Sequence, residues 1–411
     1  MNEPLAGGSS RVHARLAGTA HQDIPHHPAL SSRIRCALLT TPQLASRSVP
    51  RVKYFSAVTL VPLAVKVPLP SDCVSVRRIR HSSIAPSQIR ICTPLSIASV
   101  SVNNMSARAT YTKDQITKYF ARLGLPDQER NYDIAGLDPN SALEYLALLQ
   151  KLQLAAVPFE NITLHYSAHH SISIHPEELF KKIIDDDNGR GGYCMENNRL
   201  FGTLLNSLGF TLYSGGCKVW AADAWTGWSH MVNFVTIGDT KYHVDVGFGA
   251  DGPVVPMPLD RSGTVQKHIQ PASARLQWRN IAGNTDPNQR LWVYEYRRND
   301  ESDWETKYSY SELEFQPQDY AVMSYYTSTS KHTFFTQIVV VDKKILGDDG
   351  ELEGKMSLAA ASLKWNMKGE KTKEIEFKSE GERLEALEKY FGMKFRDVER
   401  EGIAGLPSEI K

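Results

Sequence analysis

The feature that most restricts the fold of this 411-residue chain is a pair of strand-like segments joined by a Gly-Asp pair at 238–239. Residues 229–237 and 240–247 alternate side chains in the way that strands do, and Gly-Asp is a signal for a two-residue β-hairpin turn. Such a turn pairs Ile237 with Thr240. Because strand side chains alternate, this pairing determines which residues share a face of the sheet.

The predicted register brings two chemically active side chains together. Counting back from the turn places Val232 opposite Asp245. It also places His230 opposite Gly247, so that His230 and Asp245 are diagonal neighbours on one face. A three-residue loop would put them on opposite faces. His243 shares their face and is a rival candidate, its alternative being a structural role. The other face predicts a core surface: Met231, Val235, Ile237, Tyr242, Val244 and Val246.

A second informative segment, Arg190-Gly-Gly-Tyr-Cys194, precedes a helix-like stretch over 194–208. Two glycines free the backbone and allow a substrate to approach it closely. A cysteine in the first turn of a helix lies against unpaired N–H groups, which favour the nucleophilic thiolate. The alternative is a buried apolar cysteine. The helix ends at Gly209 and is expected to pack through one apolar stripe: Leu200, Phe201, Leu204, Leu205 and Leu208.

Cys194, His230 and Asp245 together match the logic of an activated thiol. The imidazole takes the proton of the sulfur, and the carboxylate orients the imidazole. This arrangement suits acyl transfer through an acyl-enzyme. Hydrolase and transferase both remain open at this point, because they differ only in whether water or another nucleophile accepts the acyl group.

Five groups of residues give the chain a resemblance to a known family. In order they are Val157-Pro-Phe-Glu-Asn161, Arg190-Gly-Gly-Tyr-Cys194-Met-Glu-Asn-Asn198, Thr226-Gly-Trp-Ser-His230, Val244-Asp-Val-Gly-Phe-Gly249, and Phe315-Gln-Pro-Gln-Asp-Tyr320 with Met323 and Tyr326-Thr-Ser-Thr. Through them, residues 106–411 resemble the arylamine N-acetyltransferases. The resemblance implies that acetyl-CoA acylates the cysteine, CoA leaves, and an arylamine or arylhydrazine accepts the acetyl group, as in xenobiotic detoxification.

The resemblance also implies roles for individual residues. Cys194 is the expected nucleophile, His230 the general base and then acid, and Asp245 the residue that orients the imidazole. We further hypothesise that backbone N–H groups at the start of the Cys194 helix bind the oxyanion. The residues expected to contact CoA are Thr226, Gly227, Tyr326 and Thr333, and the residue expected to contact the aryl group is Phe248. Arg190 and Asn198 are expected either to support the nucleophile or to be ordinary structural residues.

The family implies an α+β fold in three parts: a helical domain, a β-barrel domain and an α/β lid, around a core like that of cysteine proteases. We expect the domain with the cysteine over 105–209, the domain with His and Asp over 210–316, and the lid over 317–411. Helix starts are predicted at Thr112 and at Asp138-Pro139, and a third at Pro176. Further predictions are strands over 291–296, 305–310, 334–341 and 374–377 and a helix over 382–391.

Residues 1–104 differ from the rest in composition, with twelve Lys or Arg against three acidic residues. They are rich in Ser, Pro and Ala and have no sustained periodicity, so we expect a disordered or spurious extension and a functional start at Met105. If the leader is genuine, its composition is typical of a mitochondrial transit peptide. Otherwise we expect a cytoplasmic protein.

The later 307 residues carry 35 basic and 43 acidic side chains, so a nucleic-acid-binding surface is not expected. They contain only Cys194 and Cys217, which argues against a disulfide framework or a Cys-x-x-Cys zinc site and for a reducing compartment. For the same reason no metal is expected. No membrane partner is expected either, since Pro62, Lys66 and Pro68 interrupt the apolar segment of the leader.

Several function classes remain open beside the transferase. A thiol hydrolase or a transglutaminase-like enzyme shares the order Cys, His, Asp, but the papain-type cysteine signature is missing. A binding protein without catalysis is disfavoured because all three positions are filled. The donor is open between acetyl-, propionyl- and malonyl-CoA, the sequence carries no signal for an oligomeric state, and Cys217 and Lys218 stand where the family often has larger apolar or aromatic residues.

Overall fold

The computed structural model describes residues 108–411. The predictions about residues 1–104 and the start at Met105 lie outside the described residues. The α+β class is confirmed, because helices and two antiparallel sheets make up the described chain. The domain boundaries at 105, 210 and 317 stay predictions.

The first part of the described chain is helical. Thr112 and Gln115 form the predicted capping box, and the Asp138 side chain caps the second helix by accepting from two N–H groups. The helix at Pro176 continues into one π-helical turn, Lys181–Asp185. The elements of this part are α1, Lys113–Leu123; α2, Pro139–Ala156; a two-residue strand β1, Phe159–Glu160; α3, Pro176–Phe180; and α4, Cys194–Ser207.

Eight strands then form one antiparallel sheet. They are β2, Thr211–Ala221; β3, Ala224–Ile237; β4, Thr240–Val244; β5, Met257–Pro258; β6, Gln266–Lys267; β7, Ser273–Arg279; β8, Leu291–Arg297; and β9, Glu305–Tyr310. Their spatial order is β5-β4-β3-β2-β9-β8-β7-β6. Side chains from distant strands, including Val232, Met257 and Leu276, pack in one cluster with Trp292 and Tyr308, so the sheet curves into a barrel-like shape.

The last part contains a second sheet in the order β1-β10-β11-β12-β13. Its strand β1 comes from the helical part and pairs with β10, which the local sequence pattern did not indicate. The new elements are helix α5, Pro317–Thr329; strands β10, Val340–Leu346, β11, Leu352–Ala359, β12, Ser362–Met367 and β13, Glu370–Glu376; and helices α6, Glu380–Phe391, and α7, Asp397–Arg400.

The predicted strand over 334–341 is wrong in its first half. Phe334–Thr336 is a 3-10 helix, and the strand begins only at Val340. The cause is a tertiary contact, because the buried Asn161 Nδ2 donates to the carbonyl oxygens of Phe335 and Ile338, each at 2.8 Å. These carbonyl groups are therefore satisfied without a neighbouring strand.

The second face of the hairpin is a core face, as predicted, and it lies against α4. Val235, Ile237, Val244 and Val246 are buried in one cluster with the apolar stripe of that helix. This packing brings the first residue of α4 to the end of the hairpin. Within residues 108–411, no helix has the length and apolar character needed to cross a membrane, and no group of three His, Cys, Asp or Glu side chains is arranged to hold a metal ion.

Candidate active site

The hairpin has the predicted register at its turn. Ile237 pairs with Thr240, and the pairing continues to Asn233 opposite Val244. The pairing stops there because the N–H of Val246, two residues further on, donates to Asn198 Oδ1 at 3.0 Å instead of to β3. The residues after β4 thus leave the ladder and turn toward α4, so the predicted pairs of Val232 with Asp245 and of His230 with Gly247 do not form.

His230 and Asp245 meet as the register predicted. His230 Nε2 lies 2.8 Å from Asp245 Oδ2, and both side chains are buried. The other carboxylate oxygen, Oδ1, accepts from Asn198 Nδ2 and from the N–H of Gly247, each at 2.8 Å. Burial opposes the charge of Asp245, but the charge of His230 and these hydrogen bonds outweigh it and lower the pKa of Asp245 to about 2.

Cys194 is the first residue of α4 and is only 3% exposed. Its Sγ lies 3.6 Å from the carbonyl oxygen of Ser229. Burial disfavours a charged His230, but the charge of the Asp245 carboxylate and its hydrogen bond with the imidazole outweigh burial and raise the pKa of His230 to about 10. The imidazole therefore keeps its proton near neutral pH.

A β-bulge aims these groups at one another. Cys217 pairs with His230 and Lys218 pairs with Trp228, so Ser229 is the extra residue of β3. A bulge of this kind bends its strand and redirects a side chain. Here it turns the imidazole of His230 to the barrel interior and the carbonyl group of Ser229 toward Cys194.

The backbone N–H groups before and after Cys194 are almost all paired. The N–H of Gly191 donates to Glu160 Oε1 at 3.3 Å, that of Gly192 to the Pro158 carbonyl oxygen at 3.3 Å, and that of Tyr193 to Glu196 Oε2 at 3.0 Å. In the described part of the chain, the N–H groups of Cys194 and Met195 have no acceptor. These two donors stand at the positive end of α4, where developing negative charge is stabilised.

The two glycines before Cys194 are required by packing within the protein. Neither has a positive φ. A Cβ at Gly191 would lie 1.9 Å from the Pro158 carbonyl oxygen, and one at Gly192 would lie 2.5 Å from Glu196 Cβ. The close approach is therefore made by the protein itself, and a side chain at either position would displace the turn.

Arg190 and Asn198 do not contact the sulfur. Arg190 Nε donates to Glu160 Oε1 at 3.0 Å, and its Nη2 donates to Thr163 at 2.8 Å, so it ties the turn to the residues after β1. Asn198 Nδ2 donates to Asp245 and, at 2.7 Å, to the Met231 carbonyl oxygen. Asn198 thus supports the carboxylate rather than the nucleophile.

The rival histidine, His243, has a structural setting. Its Nε2 lies 2.7 Å from the Tyr308 hydroxyl, and its ring stacks on Tyr310 with centroids 4.8 Å apart. Burial lowers the pKa of His243 to about 4, so it is neutral near pH 7. It makes no hydrogen bond to Asp245 in the described structure.

The residues predicted for substrates lie at different distances from this centre. Phe248 is adjacent, with its ring 5.2 Å from the His230 ring between centroids. Thr226 and Gly227 lie just before the bulge, and the Thr226 hydroxyl is 2.8 Å from that of Ser229. Tyr326 projects into solvent from α5, 57% exposed. The Thr333 hydroxyl already donates to the Thr327 and Ser330 carbonyl oxygens, which end that helix.

Three contributors escaped the sequence reasoning. Gly247 packs directly on the nucleophile, since a Cβ there would lie 2.8 Å from Cys194 Cα. Glu196 caps α4, a role that its position three residues after Tyr193 could have suggested. The Tyr193 hydroxyl lies 2.5 Å from Ser324 Oγ and so connects the nucleophile turn to α5, a link that no local pattern could reveal.

Cavity size does not identify this site. A cavity of about 920 Å³ lies between α2, residues 267–271 and the turn joining β10 to β11, and neither Cys194 nor His230 nor Asp245 lines it. The chemistry of the side chains, not the volume of empty space, therefore marks the candidate centre.

Comparison with known proteins agrees with this geometry. A model of the N-acetyltransferase family matches residues 142–400. The chain belongs to the arylamine N-acetyltransferase family. An N-malonyltransferase of Fusarium pseudograminearum is 36% identical over 71% of this chain and 92% of its own length. The arylamine N-acetyltransferase of Mycolicibacterium smegmatis is 28% identical over 67% of this chain and 94% of its own.

Solved structures confirm the arylamine N-acetyltransferase fold. The Mycobacterium marinum enzyme, determined in complex with CoA, superimposes with a TM-score of 0.57 at 25% identity, covering 71% of this chain and 99% of that one. The Mycobacterium abscessus enzyme gives a TM-score of 0.58 at 22% identity over 71% and 95%. The family and the fold expected from the sequence are thus both confirmed.

Proposed function

We propose that this protein moves an acyl group from a CoA thioester, through a thioester on Cys194, to the nitrogen of an arylamine or arylhydrazine. The observation that carries the proposal is the buried arrangement of Cys194, His230 and Asp245 beside two unpaired N–H groups. Membership of the arylamine N-acetyltransferase family supports the reaction class.

In the first step the Cys194 thiolate attacks the carbonyl carbon of the acyl-CoA. The carbonyl oxygen becomes an oxyanion, which the N–H groups of Cys194 and Met195 stabilise. The intermediate collapses, and the bond between the acyl carbon and the CoA sulfur breaks. His230 gives its proton to the departing thiolate of CoA. The enzyme then holds the acyl group as a thioester and a neutral imidazole.

In the second step the amine attacks the thioester. The imidazole of His230 is neutral after the first step, because it has given its proton to CoA, and it can therefore act as the base. It takes the proton that the nitrogen loses as the C–N bond forms. The bond to sulfur breaks and returns the thiolate with a charged imidazole. Arylamines are weakly basic and therefore neutral and nucleophilic near pH 7.

Two donors have support. Acetyl-CoA is the donor that the family resemblance implies. Malonyl-CoA is the second candidate, because N-malonyltransferases of Fusarium pseudograminearum and Gibberella moniliformis are 33–36% identical to this chain over more than nine-tenths of their length. We propose a cytoplasmic setting and a detoxifying role, since a reducing compartment keeps the thiol free.

A matrix of donors and acceptors tests the proposal. Acetyl-, propionyl- and malonyl-CoA are each mixed with the protein, with and without an arylamine, and released CoA is measured. We expect a burst near one equivalent without amine, turnover with amine, and neither in Cys194→Ala. Full turnover in water without amine would instead indicate a thiol hydrolase. Absence of any burst would refute the acyl-enzyme route.

A further inference from the structure

Glu196 and Lys182 form an ion pair beside the nucleophile turn, residues 190–193, in which Glu196 is buried and Lys182 is half-buried. Glu196 is 1% exposed, and its Oε1 lies 2.7 Å from Lys182 Nζ. Its Oε2 accepts the N–H of Tyr193 at 3.0 Å. The pair thus joins the π-helical turn, Lys181–Asp185, to the residue that precedes Cys194.

Tyr193 is held from both sides. Its N–H donates to Glu196, while its carbonyl oxygen accepts from the N–H of Glu196 at 3.1 Å and of Asn197 at 2.9 Å. In a planar trans peptide the N–H points opposite to the C=O. Because the Tyr193 carbonyl group points into α4, the N–H of Cys194 points the opposite way, out of the N-terminal end of the helix.

The ion pair is needed to keep a carboxylate in this place. Burial raises the pKa of Glu196, Lys182 lowers it, and the neighbouring Glu160 raises it. Glu160 is itself compensated by Arg190 at 3.0 Å, while Lys182 lies 3.6 Å from it and serves mainly Glu196. Removal of Lys182 alone would leave a buried charge without a partner.

We propose that Glu196, held in place by Lys182, is a positioning residue that orients the Cys194 and Met195 N–H groups toward the oxyanion of the acyl-transfer intermediate. This inference rests on the proposed function. The orientation of the two N–H groups then depends on the Glu196 oxygen that accepts the Tyr193 N–H. The charges of Glu196 and Lys182 serve only to hold that oxygen in place.

Two double variants separate the acceptor from the charge. Lys182→Met with Glu196→Gln keeps an oxygen for the Tyr193 N–H and removes both charges. Lys182→Met with Glu196→Met has the same apolar partner and no acceptor. Gln115→Leu on α1 is the matched control, because its side chain accepts the N-cap N–H of Thr112 at 2.9 Å in a capping box away from Cys194.

The readouts are the rate of the CoA burst, the KM for acyl-CoA, and the rate at which iodoacetamide alkylates Cys194. Loss of one oxyanion donor costs on the order of 100-fold in rate. If the N–H groups of Cys194 and Met195 are misdirected in the variant with Met at both 182 and 196 (the Met,Met variant), its burst should therefore slow about 30-fold or more. We expect its KM and alkylation rate to stay within about threefold, since alkylation passes through no oxyanion. The Met,Gln variant and Gln115→Leu should keep the burst within about fivefold.

Parallel loss of burst and alkylation in the Met,Met variant would overturn the proposal, because Glu196 would then act on the sulfur or on the fold. Equal burst rates in the two double variants would also overturn it, since the acceptor would then have no effect. If the Met,Met protein does not fold, slow acylation by a folded Met,Gln protein overturns it and normal acylation supports it. Failure of the proposed function is separate, because the unaltered protein would then give no burst.

Discussion

The Asn198 side chain makes three hydrogen bonds that hold Asp245 and its neighbours in place, so Asn198→Ala is the most informative substitution. The change removes the hydrogen bonds to Asp245 Oδ1, to the Met231 carbonyl oxygen and from the N–H of Val246. Asp245 Oδ1 retains the N–H of Gly247. Two buried groups are left without a partner, at about 1–3 kcal/mol each, so the free energy of unfolding should fall by about 2–6 kcal/mol.

The effect on catalysis follows from position rather than charge. Asp245 stays ionised because His230 still faces it, but the loop after β4 is no longer tied to α4. A displacement on the order of 1 Å costs about 100-fold in rate, which is the loss we expect in the CoA burst. Urea unfolding measures the stability, and rapid mixing with acyl-CoA measures the burst.

Asn197→Ala is the matched control. Asn197 is equally buried and adjacent in α4, but its side chain makes one hydrogen bond, to the Pro158 carbonyl oxygen at 3.1 Å. We expect a loss of about 1 kcal/mol and a burst within about threefold of the unaltered protein. Equal effects of the two substitutions, or an unchanged burst in Asn198→Ala, would refute the assignment of Asn198 to the support of Asp245.

Three further outcomes follow from the same geometry. Because the pKa of His230 is raised from 6.5 to about 10 and that of Asp245 is lowered from 3.8 to about 2, their contribution to stability should be complete from about pH 4 to pH 6.5 and decline toward pH 10 and toward pH 2. Urea unfolding across this range should show a weaker alkaline decline in Asp245→Asn, and an unchanged decline would contradict the pairing. Gly247→Ala should slow the burst at least about tenfold and destabilise by about 1–3 kcal/mol, because the new methyl group meets the backbone of the nucleophile, whereas Gly136→Ala, in open space, should do neither. His243→Phe should lower the melting temperature, because the buried Tyr308 hydroxyl loses its partner, while keeping the burst within about threefold. Loss of the burst in a folded protein would show that His243 takes part in catalysis.

The parts that sequence reasoning predicted well are governed by local rules. A two-residue turn leaves one register, so the face shared by His230 and Asp245 could be counted from Gly238, although β3 and β4 pair only as far as Asn233 and Val244. Helix starts at Thr112 and Asp138 depend on capping side chains within three residues. The family resemblance added the reaction class, which the three side chains alone left open.

The parts that it missed depend on contacts between distant residues. The Asn161 side chain donates to the carbonyl groups of Phe335 and Ile338, which follow it by more than 170 residues. These groups therefore need no neighbouring strand, and the first half of the predicted strand was wrong. The end of β4 is set by Asn198 on α4. Pro158 and Glu196 lie so close to Gly191 and Gly192 that neither position has room for a side chain. Such requirements become visible only when the packed chain is known.

The central claim is that Cys194 carries the acyl group between CoA and an amine. Mass spectrometry of the protein after brief mixing with acetyl- or malonyl-CoA, without amine, tests it most directly. We expect one acyl group on the peptide that contains Cys194, released on addition of an arylamine and absent from Cys194→Ala. Acyl transfer to the amine by Cys194→Ala, or an acyl group on another residue that the amine removes at the rate of turnover, would contradict it.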